Sequence, residues 1–157
     1  MRALHRRLPR FADGRIDYTD SKVAPVVVVF VEHDDRILLL KRSETVGNYK
    51  GEWNAISGYL DRLEPVQRRA LDEVKEETGI GKDAISSLRF GRPFKFFDKK
   101  TNVRLFIYTA VASLKKKPRV RMNWEHTQFR WVRKSDLAGF DTIHNLMMIF
   151  RRAHEGD

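Results

Sequence analysis

Residues 58–80, GYLDRLEPVQRRALDEVKEETGI, place four carboxylates, Asp72, Glu73, Glu76 and Glu77, within six positions of a chain whose formal net charge is +10. Asp72/Glu76 and Glu73/Glu77 are both like-charge pairs at i,i+4, each opposing a helix by roughly 0.2–0.5 kcal/mol. A chain that keeps them needs counter-charge, and a divalent cation is the first candidate. The helix itself is well marked: Pro65 stands where a first-turn proline belongs and Gly79 follows as a helix-ending residue, so residues 65–78 are expected to form one helix of about four turns. At about 100° per residue, with Glu73 as zero, Glu76 falls near 300° and Glu77 near 40°, so three carboxylates share roughly a 100° arc and can converge on one point. Ala70, Val74 and Leu71 make the apolar arc, which puts Glu73 and Glu77 on its shoulders, bordering the core. A purely solvated acidic face would lie opposite that arc.

The chain of 157 residues, 41% of them apolar, is long enough for one domain with a single core. It has no cysteine, which removes disulfides and thiolate metal sites. The longest apolar run, residues 23–31, is interrupted by Pro25 and too short to span a bilayer, so a cytoplasmic protein without membrane contact is the expectation. Residues 1–22 form a basic N-terminal segment carrying Arg2, Arg6, Arg7, Arg10 and Arg15, interrupted by Pro9 and Gly14, and read as an arm or short edge element; residues 23–157 read as the domain. There, residues 26–42 read as two strands around the turn residues His33, Asp34 and Asp35, and residues 53–60 as a strand and turn. Residues 88–97, 103–112 and 129–132 read as further strands, and residues 143–153 as a closing helix capped by Asp141 or Thr142.

The acidic stretch resembles the signature of the Nudix hydrolases: Gly, five residues, Glu, seven residues, then Arg-Glu-apolar-any-Glu-Glu-any-Gly-apolar. Gly58, Glu64, Glu73, Val74, Glu76, Glu77, Gly79 and Ile80 fit, and Asp72 stands where the pattern has Arg. The resemblance implies an α/β fold, an α/β/α sandwich with a central mixed β-sheet, and Mg²⁺-dependent cleavage of a pyrophosphate link, with Mn²⁺ as the alternative ion. It also implies that Glu73, Glu76 and Glu77 bind metal together with the backbone carbonyl of Ser57, and that Gly58 and Glu64 are structural. The pattern's Arg orients the neighbouring glutamates; with Asp72 in its place, Arg69, four residues before Glu73 and inside the carboxylate arc, is the expected substitute. Arg68, four residues after Glu64, is the other arginine in reach.

The resemblance also implies that Glu125, in a loop before a strand bearing Trp131, either completes the metal site or acts as general base, with Glu73 as the competing base and a plain surface glutamate as the bland reading. His126 beside it reads as a surface histidine. Arg42, at the end of ILLLKR, is the expected phosphate-facing cation; Lys50, Arg62 and Lys95 are weaker candidates. Trp53, Phe96, Phe97 and Trp124 are candidate base-stacking residues. The expected substrate is a nucleoside diphosphate derivative, first a nucleoside triphosphate or related nucleotide, then ADP-ribose or a dinucleoside polyphosphate. From a different class, the calculated pI near 10 also suits a basic RNA- or nucleotide-binding module with little catalysis. A homodimer is compatible with either reading.

Overall fold

The computed structural model describes residues 5–155. Arg2 of the basic segment lies outside them. β1 (Val23–His33) is the spine of an eight-stranded mixed sheet. On one side it runs parallel to β7 (Val103–Leu114), from Val23 opposite Arg104 to Glu32 opposite Ser113. On the other side it pairs antiparallel first with the short β4 (Ile56–Tyr59) and then, at its end, with β2 (Arg36–Arg42). β2 continues the sheet through β3 (Trp53–Asn54) and β8 (His126–Arg133), while β5 (Ile85–Phe90) and β6 (Phe94–Asp98) both pair with β7.

The valine run of β1 is unbroken because both faces of the strand are covered. Val27, Val29 and Val31 pack with Leu38, Leu40 and Ile56 against Ala70 and Val74 of α1 (Val66–Thr78). Val28 and Phe30 pack with Ile37, Leu39, Ile107 and Val111 against Leu146, Ile149 and Ala153 of α2 (Leu146–His154). The result is a helix layer on each side of one sheet, the α/β/α sandwich expected. No helix among the described residues is long and apolar enough to cross a membrane.

Three of the boundaries that differ from expectation have an identifiable cause. Pro65 is not in the first turn of α1 but caps it with an extended backbone, φ −59° and ψ 138°, its carbonyl accepting from Arg68 N at 3.0 Å and Arg69 N at 3.3 Å. The strand expected over residues 88–97 is two strands, because Pro93 has no N–H for a ladder and Gly91 passes under α2. A Cβ on Gly91 would lie 2.6 Å from both Arg152 O and Thr109 Oγ1. The closing helix begins at Leu146, not Ile143, and neither Asp141 nor Thr142 caps it. Trp53 N donates to Asp141 O at 3.1 Å and Ile143 N to Trp53 O at 3.0 Å, so residues 141–143 run beside β3 as extended chain. At the C-terminal end Gly79 takes φ 73° and donates to Lys75 O, as its type requires.

The described part of the basic segment, residues 5–22, is not a free arm. Arg10 bridges Ile16 around a turn in which Gly14 takes φ 85°, and Ile16 is buried with Tyr18 and Ala24 in a small satellite core.

The far end of the sandwich is closed by charge. Glu32 at the end of β1 is buried, accepting from Lys134 Nζ at 3.0 Å and facing His154 Nε2 of α2 at 2.5 Å. Burial alone would raise the Glu32 pKa, but His154 and Lys134 outweigh it and hold the carboxyl below its usual 4.5; burial alone would lower that of His154, and Glu32 with the Phe150 carbonyl lifts it above 6.5. The His154 contribution is fully present below pH 6.5 and lost as pH rises through the raised folded value; the Glu32 contribution is present above pH 4.5 and lost as pH falls below it. Melting temperature should therefore decline above pH 6.5, and His154→Gln should remove that decline, as thermal melts across pH would read directly.

Candidate active site

The short strand β4 and α1 meet edge-on, and one glycine makes the meeting close. Gly58 lies opposite Val27 in the ladder. A Cβ there would fall 1.6 Å from Glu73 Oε1, so the carboxylate of Glu73 fills the space of the missing side chain. Glu73 is only 3% exposed and Glu77 only 1%, which turns the shoulder positions of the helical wheel into buried positions. Burial, ahead of the opposing Arg69 and reinforced by Glu76, Glu125 and Asp61, pushes the Glu73 pKa up to about 8. That of Glu77 is pushed well above its usual value by burial first and then by Glu73 and Glu125, against the Ser57 backbone N–H and Arg42. Glu77 Oε2 is buried with no hydrogen-bond partner. Two buried carboxylates and one orphaned oxygen constitute a site short of positive charge.

Arg69 supplies part of that charge. Its guanidinium is ion-paired to Glu73 and lies 3.5 Å from Glu76 Oε1 and 4.0 Å from Asp61 Oδ1, while its Nε donates to Tyr59 O at 3.2 Å. Glu76, with a side chain 56% exposed, faces the solvent side of this group. Asp72, standing where the Nudix pattern has Arg, points elsewhere and is 4.0 Å from Arg68. Glu64 pairs with Arg68 Nε at 3.6 Å and has a buried Oε1 without a partner; it is not on the cavity that Glu73 and Glu76 border. Arg69 sits between Glu73 and Glu76, and no three acidic or histidine side chains among the described residues converge as they stand.

That cavity, of about 1200 Å³, brings Glu73, Glu76, Glu125, Arg69 and Arg42 together with Ser57 and Gly58. Glu125 is held by Asn123, which donates Nδ2 to Glu125 Oε1 at 3.1 Å and accepts Glu125 N at 3.1 Å, and by its own carbonyl on Ser43 N at 2.7 Å. Arg42 Nε donates to Asn48 O at 2.9 Å and so ties the loop after β2 to the rim. Of the weaker cation candidates, Lys50 borders the cavity, Arg62 borders a different one, and Lys95 lies over the Phe106 ring at 5.4 Å.

The aromatic expectations divide. Trp53 is core, meeting Phe140 edge-on at 5.8 Å, because β3 turns it inward. Trp124 is exposed at the cavity, whereas Phe96 packs by His144. Sequence reasoning missed Tyr59, inside the signature itself, and Asn54 and Asn145, buried on the cavity wall with unpartnered Oδ1 atoms. Asn145 occupies the cap position of α2, where its carbonyl accepts Ile149 N at 3.1 Å but its side chain makes no capping bond. His126 is buried, not a surface histidine: its Nδ1 is 3.3 Å from Asn123 Oδ1 and its Nε2 3.9 Å from Glu77 Oε2, and burial with Arg42 nearby lowers its pKa to about 4, leaving a neutral ring.

Gly58→Ala should displace the Glu73 carboxylate, costing about 1–3 kcal/mol by overpacking. Chemical denaturation should read that loss, and an unaltered midpoint would show that the edge-on contact is dispensable.

Comparisons with known proteins agree with this architecture. A NUDIX-domain family model matches residues 21–149. The nucleoside triphosphatase NudI of Escherichia coli O139:H28 is 23% identical over 121 residues, which cover 74% of this chain and 86% of that one. Among solved structures, a NUDIX hydrolase from Nitrosomonas europaea superposes with a TM-score of 0.69 at 16% identity over 86% of this chain and 90% of its own. A bifunctional NMN adenylyltransferase/ADP ribose pyrophosphatase from Francisella tularensis, complexed with AMP and a Mn ion, superposes with a TM-score of 0.66 at 17% identity over 81% of this chain. This chain spans only 39% of that larger protein. With the family model covering the sheet, α1 and the carboxylates at the β4 edge, the chain belongs to the Nudix family and is a pyrophosphohydrolase in class.

Proposed function

We propose that the chain cleaves the pyrophosphate link of a nucleoside diphosphate derivative, using Mg²⁺ or Mn²⁺ held by Glu73, Glu76, Glu77 and the carbonyl of Ser57. The observation that carries this reading is the pair of buried carboxylates, Glu73 and Glu77, with Glu77 Oε2 unpartnered. Burying two carboxylates side by side is costly unless a cation joins them. The donors are all hard oxygens, the kind that Mg²⁺ and Mn²⁺ take, and the hollow beside Gly58 keeps Glu73 aimed at them. Arg69 now shares Glu73 and Glu76, so a bound ion competes with the guanidinium for these groups and the arginine keeps them oriented. The Mn ion bound with AMP in the Francisella tularensis relative supports the same ion class here. When bound, the metal supplies charge neutralisation on the phosphate oxygens and a lowered pKa for the attacking water.

The chain's own residues supply the rest. Arg42 at the cavity rim offers a guanidinium to phosphate oxygens, and its loop covers one side of them. Glu125, fixed at its carbonyl and by Asn123, presents a carboxylate to the same cavity and takes the proton of the attacking water. Asn123 keeps its orientation through two hydrogen bonds, so the base is held before substrate arrives. Glu73, whose pKa burial raises to about 8, is the alternative proton acceptor. Glu64, paired with Arg68 away from the cavity, has a structural part in the start of α1.

Product analysis of a nucleotide panel with Mg²⁺ or Mn²⁺ tests the reading, the expected products being a nucleoside monophosphate and the phosphorylated second group (pyrophosphate from a triphosphate), and chelator should abolish their formation. Glu76→Gln and Glu77→Gln should each lower kcat by about 10²–10³-fold with the fold retained. Salt-sensitive nucleic-acid binding without metal-dependent turnover would instead favour a basic binding module.

Glu125→Gln should lower kcat by about 10²–10⁴-fold and leave metal affinity unchanged if Glu125 is the base; recovery of rate at high Mg²⁺ would make it a metal ligand. Arg69→Ala should weaken both metal affinity and turnover, measured by metal titration beside kinetics, and unaltered values would remove its orienting role.

A further inference from the structure

The cavity runs along β1, and its two ends differ. Val28 lies opposite Ser57 and Val26 opposite Tyr59, so residues of one face of β1 mark successive levels. At the Val28 end the wall is apolar, with Ile143 and Ile149, and carries the unpartnered amide oxygens of Asn54 and Asn145. The level of Gly58, between Ser57 and Tyr59, is where Glu73 and Arg69 meet the strand. Beyond Tyr59 the cavity continues to Ala24, four residues or about 13 Å from Val28 at the rise of a strand. The wall there is built by the N-terminal segment.

That segment precedes the residues matched by the family model, which begin at 21. It is nonetheless a built element. Phe11 N donates to Arg15 O and Gly14 N to Phe11 O, both at 2.9 Å, closing a hairpin turn. Ile16, 1% exposed, donates its N–H to Asp61 O at 2.7 Å, and Tyr18 donates its hydroxyl to Leu60 O at 3.0 Å while stacking on Tyr59 at 5.6 Å. Phe11 and Tyr59 remain 43% and 44% exposed on the cavity. The Arg15 guanidinium lies 5.3 Å from the Phe11 ring centroid and is paired with Asp13 at 2.6 Å and Asp61 at 3.6 Å. Asp17 adds an exposed carboxylate beside them, accepting from Thr19 N at 2.9 Å and Thr19 Oγ1 at 2.6 Å.

From this juxtaposition we propose that residues 11–19 form a subsite for the second group of a nucleoside diphosphate sugar, with Phe11 and Tyr59 meeting the sugar's apolar face and Arg15 and Asp17 its hydroxyls. The proposal rests on the pyrophosphatase reading and names its substrate class. A diphosphate at the Gly58 level leaves one organic group toward Asn54 and Asn145 and the other toward Phe11. A third phosphate at the Phe11 end would meet the carboxylates of Asp17 and Asp61 against a guanidinium already paired, which disfavours a triphosphate tail there. Exposed aromatic rings flanked by a carboxylate and a guanidinium suit a neutral polyhydroxylated group, which has both CH and OH surface.

Equilibrium binding by calorimetry decides it, using the full chain with Mg²⁺ and two uncleavable probes, the methylene-bridged analogues of ADP and of ADP-ribose, the first standing in for ADP. The wild type should bind the sugar-bearing probe about tenfold more tightly than ADP. Phe11→Ala and Arg15→Ala should bring that ratio toward one with ADP affinity within about twofold, and Phe11→Tyr should keep the preference. Equal wild-type affinity for the two probes, a ratio unchanged in both alanine variants, or a parallel loss for ADP would overturn the subsite. Absence of turnover of cleavable substrates by the wild type would refute the hydrolase reading, while the probe ratio would still be read independently. Phe11 is exposed and the Arg15 side chain is 43% exposed, so a melting temperature equal to the wild type's confirms that folding is intact.

Discussion

The approach of α1 to the bare edge of β4 at Gly58 is the contact on which the rest depends. It is possible only without a Cβ, and it buries the Glu73 carboxylate against the strand while Glu77, one turn on, is buried behind it. Burial of like charges raises the protonated form's advantage, and the chain answers with Arg69 on one side and with an oxygen of Glu77 left unsatisfied on the other. A native structure keeps few such orphaned atoms. Glu77 Oε2 is one of several among the described residues, with Glu64 Oε1 and the Oδ1 atoms of Asn54 and Asn145, and the proposed cation would satisfy it.

Around this contact the sheet acts as a ruler. β1 is covered on both faces: Val27, Val29 and Val31 seat α1, while on the other face Phe30 packs against α2 and Ala24, Val26 and Val28 line the cavity. The same strand therefore positions the carboxylates through one face and measures the substrate along the other. A row of charges, Arg15, Asp61, Arg69 and Glu73, runs from the N-terminal hairpin to the carboxylates, with Asp61 shared between the two arginines.

Elements with strong local signals were readable in advance. The two-sided valine strand, the hairpin at Asp34, the amphipathic α1 and its αL glycine all follow from short-range rules, and the structure has them. The boundaries that shifted were decided by contacts distant in sequence: Gly91 yields to the passage of α2, and residues 141–143 are drawn out beside Trp53 before α2 can begin. His126 was read as a surface residue because nothing local announces burial; it is the pairing of β8 with β2 that sets it opposite Arg42 and beside Glu77.

By itself, then, the sequence determined the acidic helix, the spacing of its carboxylates and the family, since helical periodicity and residue spacing are properties of one contiguous segment. Only the tertiary structure decided that Arg69 lies between Glu73 and Glu76, that Glu125 shares their cavity, that Trp53 belongs to the core, and that residues 11–19 wall the far end. Each of these depends on packing between segments tens of residues apart, and the energies that choose among such packings are sums of burial and charge over many partners, which no local pattern encodes.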